Sequence, residues 1–240
     1  MLDVKINTQP DDETCGPTCL HAIYRFYGDN ISPEEVIKGV GRLRNGGTLA
    51  ALLGTHALKQ KYSAMIYVYN LDLFDPSWFH PHKLNNDELI LRLKNQLRYK
   101  KTKRMKEATH AFIDFLKLGG ELVFRDLNAS MLKEHFDEKT PILAGLSATY
   151  LYQSPRERTL KKGQMMFDDL RGEPCGHFVV LSGYDEQNRR IVVADPHKQN
   201  PLSSDNYYRV NSGRLMSAIM LGALTFDANL LVIQPKKSNA

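Results

Sequence analysis

Apolar residues recur along the first sixty positions at helical spacing. Cys19, Ile23, Phe26 and Tyr27 share a face behind the polar run Asp11-Asp12-Glu13-Thr14, and Gly28 follows them. This pattern predicts a buried helix with Pro17 in its first turn, where a missing N–H costs nothing, and with a glycine stop. Cys15 sits at its start. Ser32-Pro33-Glu34-Glu35 has the hydroxyl-to-glutamate spacing of a capping box and predicts a second helix to about Val40. After Gly46-Gly47, Thr48 stands where it would cap a third helix bearing Leu49, Leu52, Leu53, Ala57 and Leu58. Met65 to Tyr69 then alternates as a strand does.

From about residue 70 to 135 the pattern changes. Pro76, Trp78 and Pro81 mark a loop, and helical periodicity covers Glu88 to Leu97 and Ala108 to Leu118, closed by Gly119-Gly120. We read this stretch as a helical insertion that either covers the core or forms a lid or substrate-selecting flap. The last hundred residues are strand-rich. Ile142 to Ala148, His177 to Ser182, Arg190 to Ala194 and Leu230 to Gln234 are short aliphatic runs, with Asp185-Glu186-Gln187-Asn188 as a hairpin turn. Helices followed by an antiparallel sheet predict one α+β domain over residues 1–240, ending in a frayed tail from Lys236 to Ala240.

Composition narrows the class. A chain of 240 residues that is 42% hydrophobic can bury a core without staples. Its three cysteines cannot all pair, and they are expected as free thiols of a reducing cytoplasm. Met1-Leu2-Asp3-Val4-Lys5 has neither the basic region nor the apolar run of a secretory signal. The stretch from Leu215 to Phe226 falls short of the ~20 residues a spanning helix needs. A soluble, cytoplasmic protein with no membrane partner is therefore expected. The net charge of +5 is concentrated in Lys94 to Lys106, which reads first as a solvated helix face and second as a site for an acidic partner. A nucleic-acid partner is not expected.

Candidate chemistry begins at Cys15. A thiol attacks as its thiolate, and a helix start favours that anion through its partial positive charge and free backbone N–H groups. Cys19, one turn further in, reads instead as a small buried hydrophobe. Attack on an amide needs a base that later returns a proton to the leaving nitrogen, which is histidine chemistry. His177 is distinguished by its place at the start of the run Gly176-His177-Phe178-Val179-Val180-Leu181. Antiparallel pairing brings Asp195, at the end of Ile191-Val192-Val193-Ala194-Asp195-Pro196, back toward it, where a carboxylate would fix the imidazole's tautomer. Gln9 upstream could supply a side-chain amide to an oxyanion alongside the Cys15 N–H. Zinc would have to use Cys15-x3-Cys19 and Cys175-x-His177, which depart from the two-residue knuckle spacing, so neither metal nor cofactor is expected.

Together, Gln9-x5-Cys15-Gly16-Pro17-Thr18-Cys19-Leu20, Tyr27-Gly28, Gly176-His177-Phe178-Val179-Val180-Leu181 and Val193-Ala194-Asp195-Pro196 resemble the C39 peptidases and their C39-like relatives. The resemblance covers about the first seventy residues and Pro141 to Pro196. It implies a papain-like fold with Gln9 at the oxyanion hole, Cys15 as nucleophile, His177 as general base and acid, and Asp195 orienting it. The best-known members are fused to transporters and cut leader peptides after a double glycine. This chain carries neither a spanning segment nor an ATPase domain, so a stand-alone hydrolase of a peptide or small amide is implied, without leader specificity. A catalytically inactive adaptor and an amide-forming acyl transferase using the same residues remain open at this point.

Overall fold

The computed structural model describes residues 1–43, 46–159 and 165–236. Three helices come first: α1 (Cys15–Phe26), α2 (Pro33–Gly39) and α3 (Ala50–Lys59). The capping box of α2 forms as its sequence predicts, with the Ser32 hydroxyl accepting from Glu35 N and Glu35 Oε2 accepting from Ser32 N. Thr48 does not cap α3. Leu49 holds that position without a side-chain bond, and the Thr48 hydroxyl donates to Gly41 O at 3.0 Å, tying down the preceding loop instead.

Strand β1 (Tyr62–Val68) leads into the segment expected as a helical insertion. Helices α4 (Asn86–Gln96) and α5 (Lys103–Lys117) lie close to their predicted spans. The segment is not wholly helical, because β2 (Glu121–Val123) pairs in parallel with β1 before α6 (Ala129–Asp137) begins. It is also part of the core: Phe112 and Phe115 of α5 are almost fully buried, which stabilises by about 1.5–3 kcal/mol per side chain.

The remaining elements are β3 (Ile142–Ser147), α7 (Ala148–Tyr152), the small hairpin β4 (Glu157–Thr159) and β5 (Met165–Phe167), then β6 (Gly176–Asp185), β7 (Arg190–Ala194), β8 (Tyr207–Asn211), α8 (Ser212–Leu221) and β9 (Asn229–Pro235). The main sheet runs β2-β1-β9-β3-β6-β7-β8. It is antiparallel, as expected, apart from the β1–β2 pair, and the C-terminal strands are joined by β1, the strand predicted near Met65 to Tyr69, and by the short β2, which the pattern did not predict.

Both faces of this sheet are covered. Ile66, Val180, Leu231 and Ile233 point to a core shared with α1, α3 and α5. Their neighbours Tyr67, Val179, Leu181, Leu230 and Val232 point to a second core with α6 and α8. A strand buried on both sides has no polar face to alternate with, which is why β3, β6 and β9 read as continuous aliphatic runs. Of the tail, residues 237–240 lie outside the described residues.

Candidate active site

Helix α1 and the β6–β7 hairpin bring the predicted residues together. Cys19 donates its thiol to Phe178 O at 3.2 Å, which fastens α1 to the beginning of β6 one turn after Cys15 and one residue after His177. Gly16 makes that approach possible: a Cβ there would fall 2.6 Å from Thr48 and 3.2 Å from Phe178. Across the hairpin Val180 pairs with Ala194, so Asp195 follows directly opposite Val179, on the diagonal from His177. His177 Nε2 and Asp195 Oδ1 are 2.8 Å apart, and both side chains are buried. Cys15, half-buried at the first position of α1, stands close enough to the same imidazole for its charge to act on it.

Asp195 is a hub whose partners the sequence did not announce. Tyr152 at the end of α7 and Tyr208 on β8 each donate a phenol to Asp195 Oδ2 at 2.7 Å, and His197 N donates to Oδ1 at 3.0 Å. Asp195 N donates to Asn206 O, and the Asn206 side-chain amide donates to Asp195 O, which fixes the turn after β7. Burial opposes the Asp195 carboxylate, but the charge of His177 and these donors outweigh it and bring the group down to about 2. Burial likewise opposes the imidazolium, yet the charges of Asp195 and Cys15 raise His177 to about 10. Burial first, and Asp195 second, push both tyrosines up, so they remain donors. His197 packs edge-on against His177 and Tyr152, and burial together with the His177 charge lowers its affinity for a proton.

Gln9 is buried beside the hairpin end, where its backbone N donates to Pro196 O at 2.8 Å. Its side-chain nitrogen donates to Asp11 O at 2.8 Å, and Oε1 has no partner among the described residues. Thr14 precedes α1 without a side-chain cap, and Pro17 has no N–H, so Cys15 and Gly16 carry the amide groups that lack a helical acceptor at the start of the helix. Cys19 and Cys175 are also free thiols, and burial pushes both well up.

A cleft of about 260 Å³ opens beside Cys15. Glu157, Cys175, Gly176, Phe178 and Asp227 are among its walls. So is Arg104, which the sequence offered only as part of a solvated basic run. Its guanidinium lies over the Phe226 ring at 5.1 Å and donates to Thr225 O. Among the described residues no helix is long and apolar enough to cross a membrane, and no group of three or more His, Cys, Asp or Glu side chains is placed to hold a metal ion.

Similarity to other proteins agrees with the fold. No curated protein matches the chain. A Bacillus anthracis crystal structure described as that of a C39-like peptidase matches with a TM-score of 0.51 over 99% of this chain and 98% of its own, at 12% identity. The model of the Peptidase_C39 like family matches residues 93–214, just over half of the chain, which takes in His177 and Asp195 and much of the segment before β3. Cys15 and Gln9 precede the matched span. With the fold and the family match in agreement, the chain belongs to the Peptidase_C39 like family.

Proposed function

We propose that this protein is a cysteine-dependent hydrolase that cleaves a peptide or other amide bond through a thioester on Cys15. One observation carries the reading: His177 is bonded at Nε2 to a buried carboxylate, which leaves Nδ1 as the nitrogen for Cys15. An imidazolium beside a sulfur at a helix start is the setting that holds a thiol as thiolate.

The steps follow from that pairing. The Cys15 proton passes to His177 as the sulfur attacks the substrate carbonyl, forming a tetrahedral oxyanion. The Cys15 N–H and the second N–H of the Gln9 side chain, beyond the one given to Asp11 O, are the donors assigned to that oxyanion. His177 then returns its proton to the leaving amine and the C–N bond breaks. Water, deprotonated by the same imidazole, releases the acid and restores the thiol. Asp195 keeps the ring in one orientation and one tautomer throughout, and Tyr152 and Tyr208 keep Asp195 in place.

The thioester is the species to look for. Incubation with a panel of blocked amino-acid p-nitrophenyl esters, quenched in acid and digested, should place one acyl group on the peptide containing Cys15, removable by hydroxylamine. Acylation of a different residue during turnover would contradict the reading.

A further inference from the structure

The cleft beside Cys15 is anionic in a chain whose net charge is +5. Asp12, Glu13, Glu157, Glu173 and Asp227 line it against Arg104, and of these Glu13 is partly offset by Arg42 at 3.9 Å. An acidic rim alone would be a solvated surface. Asp227 is different. It is only 7% exposed, and a Cβ on Gly176, the residue before His177, would fall 1.8 Å from its Oδ2. The backbone is emptied at that position to seat a carboxyl next to the catalytic strand.

Among the described residues no cation is paired with that carboxyl. Arg104 gives its guanidinium to Thr225 O and the Phe226 ring. The neighbouring Thr225 hydroxyl, 3.2 Å from Gly222 O, offers the carboxyl a neutral hydrogen bond and no charge, and His177 is paired with Asp195. Burial raises Asp227 to about 7, which Thr225, Arg104 and His177 only partly offset. A buried carboxylate without a counter-charge is costly, and a cation entering the cleft would supply one.

We propose that this cleft is the specificity pocket of the hydrolase and takes a positively charged group of the substrate, an ammonium or guanidinium close to the scissile carbonyl, against Asp227, with Glu157 and Glu173 nearer the mouth. The proposal rests on the assignment of Cys15 as nucleophile. At about 260 Å³ the space is just under the ~300 Å³ where pockets for drug-sized ligands begin, so it suits one side chain or a small amine.

Binding separates the pocket from the chemistry. Titration of the Cys15→Ala protein, followed by NMR, with N-acetyl-lysine methylamide and its norleucine counterpart should show the lysine compound bound at least about tenfold more tightly. Adding Asp227→Asn should bring the ratio to within about twofold. Glu173→Gln, at an exposed position, should lower it by a smaller factor and serves if Asp227→Asn does not fold. Equal affinity for the two compounds in Cys15→Ala would overturn the pocket even if the wild-type enzyme cleaves amides. A lysine preference in binding, with no cleavage of any amide by wild type, would instead refute the hydrolase and leave the pocket standing.

Discussion

Cys15→Ala should abolish amide turnover, lowering kcat by roughly 10⁶, the scale on which loss of a nucleophile acts in hydrolases of this kind of mechanism. Without the sulfur there is no nucleophile and no thioester. The fold should survive. Cys15 is half-buried at a helix start, and the contacts that hold α1 against β6 are made by Cys19 and by the close approach of Gly16. Turnover of a cleaved amide and circular dichroism of the same preparation check this together: lost activity with an unchanged melting curve is the expected pair. Unchanged turnover would remove Cys15 from the mechanism.

Asp195→Asn should damage both stability and activity. The carboxylate is fully buried and accepts from His177, His197, Tyr152 and Tyr208. Replacing it leaves an imidazolium without its counter-charge, and breaking a buried pair costs about 3–5 kcal/mol. For a domain of this size that is a fall in melting midpoint of roughly 6–20 °C, at 2–4 °C per kcal/mol.

The loss should depend on pH. His177 lies above its ordinary value in the folded protein, so its share of the stabilisation is complete below its unfolded value and disappears as pH rises through about 10. Asp195 lies below its ordinary value, so its share is present above the unfolded value of about 4 and disappears as pH falls through about 2. Melting curves of wild type and Asp195→Asn at pH 5.5 and pH 10.5 should therefore differ more at the lower pH. A constant difference would mean that the pair's charges contribute nothing to folding. Turnover of the variant should fall as well, because asparagine can present its amide N–H to Nε2 and stabilise the wrong tautomer.

Much of this was legible in the chain because it depends on local pattern. The start of α1, the capping box of α2 and the β6–β7 turn are set by residues within a few positions of one another. The hairpin brings Asp195 back toward His177, but the bulge between Leu181 and Gly183, which sets the two on one face, leaves no mark in the pattern. The residues that escaped reading depend on distant packing. Tyr208 lies in Tyr207-Tyr208-Arg209-Val210-Asn211, a run with only Val210 fully buried, and its phenol finds Asp195 only once β8 closes the sheet edge. Tyr152 ends a five-residue helix too short to show a period. β2 is three residues long and gains its place by pairing with β1. Asp227 looks like an ordinary loop aspartate until Gly176 is seen to make room for it, and Arg104 looks like one more charge in a basic run until α5 carries it to the cleft.

One sulfur of the three should be set apart from the others by an imidazole. The most direct measurement of this is the rate of alkylation of each cysteine by iodoacetamide in the native protein at pH 6, read by mass spectrometry. Cys15 should react at least about a hundredfold faster than Cys19 and Cys175, whose thiols burial pushes up, and His177→Ala should remove the advantage. Equally slow reaction at all three positions would contradict the account.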